Sequence, residues 1–116
     1  MADVTETVGA LTLELRRGTI VLSVLSQLGE PKYGYALVQI LEERGMSIEA
    51  GTLYPLLRRL EKQGLLVSEW ETSGTKPRKY YTITLFGKKV LQQLEQEWEA
   101  LVKGMERLMN GGNENE

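Results

Sequence analysis

Gly51-Thr-Leu-Tyr-Pro-Leu-Leu-Arg-Arg-Leu-Glu61 is the stretch whose reading decides the fold of this chain. Leu53, Leu56, Leu57 and Leu60 recur at i, i+3, i+4 and i+7, which makes one apolar stripe at helical period. At about 100° per residue the opposite face carries Gly51, Pro55, Arg58 and Lys62. One side of this helix is built for a core. The other opens with residues that let a partner approach the backbone and continues with cations, as suits a nucleic-acid groove.

A strand pair follows. Gly64 sits just past the last periodic residue, the usual place for a helix stop. Leu65 to Glu71 reads as a strand, Thr72 to Pro77 as a turn cluster, and Arg78 to Thr84 as the return strand. Lys76, Arg78 and Lys79 sit at the tip and base of the return strand. A helix-turn-helix followed by such a hairpin is a winged helix: its recognition helix enters the major groove and its wing reaches neighbouring phosphates. Leucines at helical spacing mean core, and surface arginines or a basic hairpin tip taken singly mean only a solvated face. The order and spacing of the parts together carry the DNA reading. The rival is a winged helix that binds protein and does without a basic wing.

Composition sets the bounds. A length of 116 residues implies one domain. Cysteine is absent, which removes disulfides and thiolate chemistry and is compatible with a reducing cytoplasm; histidine is absent too, which removes the commonest metal ligand and general base. Glu42 and Glu43 are adjacent and diverge on a helix, so no paired carboxylates are visible, and neither an enzyme, a metal site nor a cofactor is expected. The N-terminus is acidic and polar, unlike a secretory signal, and no apolar run approaches membrane-spanning length. The net charge of −2 is unevenly spread: residues 31–83 carry 8 cations against 6 anions, and the flanking segments are negative. That margin predicts few phosphate contacts per domain, which pairing of two domains offsets.

Along the rest of the chain, residues 1–10 are expected to be a flexible N-terminus. Leu11 to Leu28 reads as one central helix, apolar nearly all round, and a second helix runs from Tyr33 or Gly34 to Arg44. Pro55 is tolerated in a first turn, where it sits harmlessly if Thr52 is the N-cap, whereas a start at Ser47 would place it deep inside and predict a kink, so the preferred start lies between Ala50 and Thr52. Residues 11–84 thus form the winged helix-turn-helix domain. Thr84 caps a last helix over residues 85–109, and residues 110–116 read as a disordered tail.

Leu91, Leu94, Trp98, Leu101, Met105 and Leu108 are spaced 3, 4, 3, 4 and 3 along that last helix, an a/d seam. The seam either packs back on its own domain or pairs with a second copy, and pairing is the preferred reading. Two copies of Trp98 facing each other either fill the dimer core or leave a slot for a flat aromatic ligand. Trp70 is expected to pack at the hairpin base. The expected DNA contacts are Gly51, Thr52, Tyr54, Pro55, Arg58, Arg59 and Lys62 on the recognition helix, Lys76, Arg78 and Lys79 on the wing, and Tyr33 and Tyr35 from the helix before. Arg58 is the candidate for a guanine edge.

These residues resemble the PadR family of bacterial and archaeal transcriptional regulators. The matching stretches are Tyr33-Gly34-Tyr35, Gly51-Thr52-Leu53-Tyr54-Pro55, Arg59-Leu60-Glu61, Gly64-Leu65, Arg78-Lys79-Tyr80-Tyr81, Thr84 with Gly87, and Arg17-Gly18 near the start. The resemblance implies a homodimeric winged-helix repressor of double-stranded DNA, often released by a small molecule. With room for a single C-terminal helix, the chain looks like the family's short branch, which dimerises through that helix and in some members binds flat aromatic compounds there. The expected fold is mainly α with a small β-hairpin, a winged helix-turn-helix plus a long C-terminal dimerisation helix.

Overall fold

The computed structural model describes residues 3–111 as α1 (Val4–Arg17), α2 (Ile20–Ser26), β1 (Lys32–Tyr33), α3 (Gly34–Glu43), α4 (Ala50–Lys62), β2 (Leu66–Glu71), β3 (Arg78–Ile83) and α5 (Leu85–Asn110). The leucine stripe does what its period requires: Leu53, Leu57 and Leu60 of α4 are fully buried and Leu56 is half-buried. They meet Val24 and Leu25 of α2, Leu28 just beyond it, and Leu37 and Leu41 of α3. Leu66, Tyr81 and Ile83 close this core from the sheet. This is the winged helix-turn-helix, mainly helical, with a long last helix.

Both turns that frame α4 depend on a left-handed residue. Gly45 (φ 81°) and Gly64 (φ 82°) end α3 and α4. In each, the next amide reaches back five residues: Met46 N–H to the Leu41 carbonyl at 2.8 Å and Leu65 N–H to the Leu60 carbonyl at 3.0 Å. These are Schellman ends, which favour glycine because a Cβ is strained at positive φ.

The sheet has three strands in the order β1-β3-β2, all antiparallel, where the sequence suggested a two-stranded hairpin. β1 pairs only Lys32 with Tyr81 and Tyr33 with Tyr80. Two residues before a helix show no period of their own, so this strand exists only because β3 offers it an edge.

Two corrections concern the N-terminal third. The segment expected to be flexible, residues 1–10, is helical from Val4, because the Asp3 carboxylate accepts the Glu6 N–H at 2.8 Å and the Glu6 side chain faces the Asp3 amide, a capping box. The single helix expected over Leu11–Leu28 is two helices broken at Gly18-Thr19. There the Thr19 hydroxyl and amide both return to the Arg16 carbonyl, at 2.8 and 2.9 Å, and use up the acceptor that would continue the turn. Met1 and Ala2, and the tail from residue 112 on, lie outside the described residues.

The start of α4 falls where Pro55 requires, but its N-cap is Glu49 rather than Thr52: the amides of Thr52 and Leu53 both reach the Glu49 carbonyl at 2.9 Å. Pro55 therefore lies in the second turn. It has no N–H to give the Gly51 carbonyl, which stays outside the helical ladder on the exposed face.

Thr84 caps α5 as expected: its Oγ1 accepts the Gly87 N–H at 2.9 Å and donates to the Gly64 carbonyl at 2.7 Å. The same threonine thus ties the end of α4 to the start of α5. The α5 seam splits along its 26 residues. Leu91 and Leu94 rest on the core, whereas Trp98, Leu101, Met105 and Leu108 are exposed. On α1 the apolar residues Val4, Val8, Leu11 and Leu15 are exposed too.

Candidate nucleic-acid interface

The recognition helix and the wing meet at one cleft of about 410 Å³, to which Tyr33, Tyr35, Tyr54, Arg58, Arg78 and Lys79 all contribute. These are six of the residues singled out from the sequence, drawn from β1, α3, α4 and β3. The Tyr33 and Tyr35 rings lie nearly parallel, 6.0 Å between centroids, and Tyr80 meets Tyr33 edge-on at 5.8 Å. Arg78 lies over the Tyr33 ring at 5.0 Å and its Nη1 donates to the Tyr35 hydroxyl at 3.1 Å. Stacking and a hydrogen bond hold its planar guanidinium in place.

Tyr54 reaches this cleft because residue 34 is glycine. A Cβ at Gly34 would lie 2.8 Å from the Tyr54 hydroxyl oxygen and overlap the ring. The backbone of α3 therefore lies against the tyrosine of α4, and the angle between the two helices of the motif depends on that contact.

Lys79 has a different place from the one expected. It lies on the sheet face turned towards α4, where its Nζ is 3.7 Å from Glu61 Oε1 and lies over the rings of Tyr81 (5.4 Å) and Trp70 (5.8 Å). Glu61 Oε2 also accepts the Ser68 hydroxyl at 2.6 Å. One carboxylate on α4 thus holds both wing strands. The pair is partly exposed and worth about 0–1 kcal/mol, so its consequence is orientation of the wing. Trp70, expected at the base of the hairpin, is 62% exposed. The register explains it: Leu66 faces Ile83 over the core, while Trp70 faces Lys79 four residues nearer the tip, past the helices that would cover it.

At the tip, the Ser73 hydroxyl (2.7 Å) and amide (3.1 Å) both donate to Glu71 and hold its carboxyl below the ordinary carboxylate range, with Arg78 adding in the same direction. The turn that carries Lys76 is therefore internally braced. The negative charge of Glu69, opposite Tyr80 in the sheet, raises the pKa of the Tyr80 hydroxyl above its ordinary value.

Other expected contacts lie elsewhere on the surface. Thr52, Pro55 and Arg59 line a separate groove of about 320 Å³ on the flank of α4 away from the wing, and Arg17 from α1 joins them there. Gly51, with open space where a Cβ would stand, is exposed between the two flanks. Lys62 and Lys76 are exposed and line neither cleft. Sequence reading missed that Gly34 makes room for Tyr54 and that Arg17 lies beside α4, although Tyr33-Gly34-Tyr35 and Arg17-Gly18 are both among the stretches that carry the resemblance.

A third depression of about 590 Å³ runs between the α1–α2 corner and α5. Leu22, Leu94, Leu101, Val102 and Met105 form its walls and Trp98, 44% exposed, flanks it. Within one protomer Trp98 does not fill a core. Among the described residues no group of histidine, cysteine or carboxylate side chains is placed to hold a metal ion.

Residues 21–93 match the model of the transcriptional regulator PadR-like family. A transcriptional regulator from Mycobacterium tuberculosis is 34% identical over 91 residues, which is 78% of this chain and 85% of that protein. Among solved structures, a PadR family transcriptional regulator from Eggerthella lenta is 56% identical and superposes with a TM-score of 0.88 over 91% of this chain and 95% of the other. A transcriptional regulator from Clostridium thermocellum gives 34% identity and a TM-score of 0.74 over 81% and 96% of the two chains.

Proposed function

The chain belongs to the PadR-like family of transcriptional regulators, and from that premise we propose that it is a cytoplasmic repressor that binds a pseudo-palindromic operator as a homodimer. A regulator of this family is not an enzyme. Among the described residues no helix is long and apolar enough to cross a membrane. The observation that carries the proposal is the cleft in which Arg58, Arg78 and the tyrosines Tyr33, Tyr35, Tyr54 and Tyr81 converge between α4 and the wing. In this reading α4 enters the major groove. Gly51 and Pro55 allow close approach, Thr52 and Tyr54 hydrogen-bond to the backbone or a base edge, and Arg58 reads a base. Arg59, Lys62, Lys76 and Arg78 meet phosphates, with Tyr33 and Tyr35 steadying Arg78. Lys79 sets the wing against α4 through Glu61.

Fluorescence anisotropy tests this with a duplex that the protein itself selects from a random pool, beside a scrambled duplex, at several salt concentrations. Arg58→Ala is expected to cost about 1–3 kcal/mol on the selected duplex and far less on the scrambled one. Lys76→Ala should weaken both alike and flatten the salt dependence by about one unit per contact. Selection that enriches no sequence would favour a protein-binding winged helix instead, a reading that the net charge of −2 and the internal pairing of Lys79 support.

Release by a small molecule completes the proposal. The apolar groove beside Trp98 offers a π-face and aliphatic walls to a planar aromatic compound. Such a compound acts as inducer by preferring the dimer geometry that does not fit DNA. Replacing Trp70 with Phe leaves Trp98 the sole tryptophan. Planar aromatic compounds should then quench its fluorescence at the concentrations that release DNA. Release without quenching would remove Trp98 from the inducer site.

A further inference from the structure

Two arginines from different elements share the groove on the flank of α4 opposite the wing. Arg17, in the last turn of α1, and Arg59 of α4 line about 320 Å³ together with Thr52, Pro55 and Leu56. Both arginines are exposed, and neither guanidinium has a hydrogen-bond or ion-pair partner among the described residues. Their neighbours differ. Arg16 is fixed: its Nη2 donates to the Gly45 carbonyl at 2.7 Å, binding α1 to the turn before α4. Glu49 lines the adjoining hollow with Arg16 and Arg17, yet it forms an ion pair with neither. Arg16 thus anchors the end of α1, and the next residue presents an uncompensated guanidinium beside the recognition helix.

Unpaired cations that share a groove with a threonine hydroxyl suit a phosphodiester, because guanidinium presents two parallel donors to phosphate oxygens and the hydroxyl can add a third. The groove lies on the side of α4 that the wing does not reach, since Tyr54, Arg58 and Glu61 face the wing while Thr52, Leu56 and Arg59 face α1 and α2. We propose that the DNA backbone runs along this groove and that Arg17 neutralises one phosphate in each protomer, so that the recognition helix is gripped from both flanks, by Arg17 and Arg59 on one and the wing on the other. The inference rests on the DNA-binding reading above. It also gives α1 a part in that grip: Gly18 and Thr19, the next two residues, line the depression beside Trp98, so an occupant there touches the segment that carries Arg17.

The test measures affinity against salt for the wild type, Arg17→Gln and Arg17→Lys on the selected and scrambled duplexes. Two lost phosphate contacts per dimer, at about 0.9 each, should make the log–log salt slope of Arg17→Gln shallower by about 2. Affinity at moderate salt should fall about tenfold on both duplexes alike, as a sequence-independent contact requires. Arg17→Lys should keep the slope. A guanidinium that serves only to favour the C-terminus of α1 would lower the melting temperature of Arg17→Gln and leave the slope unchanged, which overturns the proposal. Inorganic phosphate at matched ionic strength should not compete; competition that tracks Arg17 would make the groove a free-phosphate site and overturn it too. If the wild type itself shows no salt-sensitive binding, the DNA reading falls and this inference falls with it. If the wild type binds tightly and Arg17→Gln binds as tightly with the same slope, only this inference falls.

Discussion

Gly87→Ala is expected to lower the stability of the winged domain by about 1–3 kcal/mol, the usual range for forcing a methyl group into a filled site. At about 4 °C per kcal/mol for a domain of this size, the melting temperature falls by roughly 4–12 °C. Gly87 is buried in the first turn of α5, and its amide is the one that Thr84 caps. A Cβ there would overlap the Leu65 carbonyl oxygen and stand 2.7 Å from Ile83 Cγ1. The obstacle is backbone rather than the end of a flexible side chain. Moreover, the Leu65 carbonyl already accepts the Thr84 N–H at 3.0 Å, so it cannot retreat without breaking the junction between α4, the sheet and α5. Gly9→Ala is the control. A Cβ at Gly9 meets nothing within 4 Å, and replacing an exposed mid-helix glycine should stabilise by about 0.5–1 kcal/mol. Thermal melts at one protein concentration decide the matter; equal melting temperatures for the two variants would mean that α5 shifts freely on the sheet.

The parts of the fold that were legible in sequence are those set by local period. Leu53, Leu57 and Leu60 had to share a face, Gly64 had to end their helix, and Thr84 had to begin the next, because each constraint acts within a turn or two of chain. The features that differ from expectation depend on a partner distant in sequence or on a short polar signal. β1 is strand only by its pairing with Tyr80 and Tyr81. The early start of α1 was legible in principle, since Asp3 with Glu6 has capping-box spacing, but a polar N-terminus outweighed it. The break at Gly18-Thr19 interrupts two apolar segments with Arg-Arg-Gly-Thr, and it is the return of the Thr19 hydroxyl and amide to the Arg16 carbonyl that turns this polar stretch into a helix end.

The same distinction holds at the candidate site. Residue types and order on α4, the wing and the start of α3 point to the cations and tyrosines that matter, and six of them line one cleft. Which of those cations remain free was not legible. Lys79 and Arg78 are neighbours in sequence, but strand alternation turns Lys79 inward to Glu61 and Arg78 outward to Tyr33 and Tyr35. Arg17 belongs to the α4 surface only because Arg16 fixes the end of α1 to the turn at Gly45, a contact spanning 29 residues.

Leu101→Glu is expected to convert the protein to a monomer and to lower its affinity for a two-half-site operator by about 100-fold or more. Leu101 lies on α5 with 62% of its surface exposed, between the depression beside Trp98 and a second one of about 500 Å³ shared with Met105 and Leu108. A charge there meets water in a lone protomer and leaves the core of the winged domain untouched. Across a two-fold axis, however, it places two carboxylates in an apolar seam, where each loses hydration without gaining a cation. The reason to expect a seam is the split in α5: Leu91 and Leu94 are seated on the core, while the same spacing continues outward through Trp98, Leu101, Met105 and Leu108, which are exposed. An apolar row of that length is costly to leave in water and marks an interaction site. Linking two half-site readers raises affinity by about 10²–10⁴ without any new DNA contact, so dissolving the pair should remove that factor and leave binding to a single half-site unchanged. Sedimentation equilibrium beside anisotropy on one-site and two-site duplexes separates the possibilities. A monomer with intact single-site affinity and a normal thermal transition is the expected result. A Leu101→Glu variant that remains dimeric and keeps its two-site affinity would mean that the α5 seam is covered by something other than its own copy.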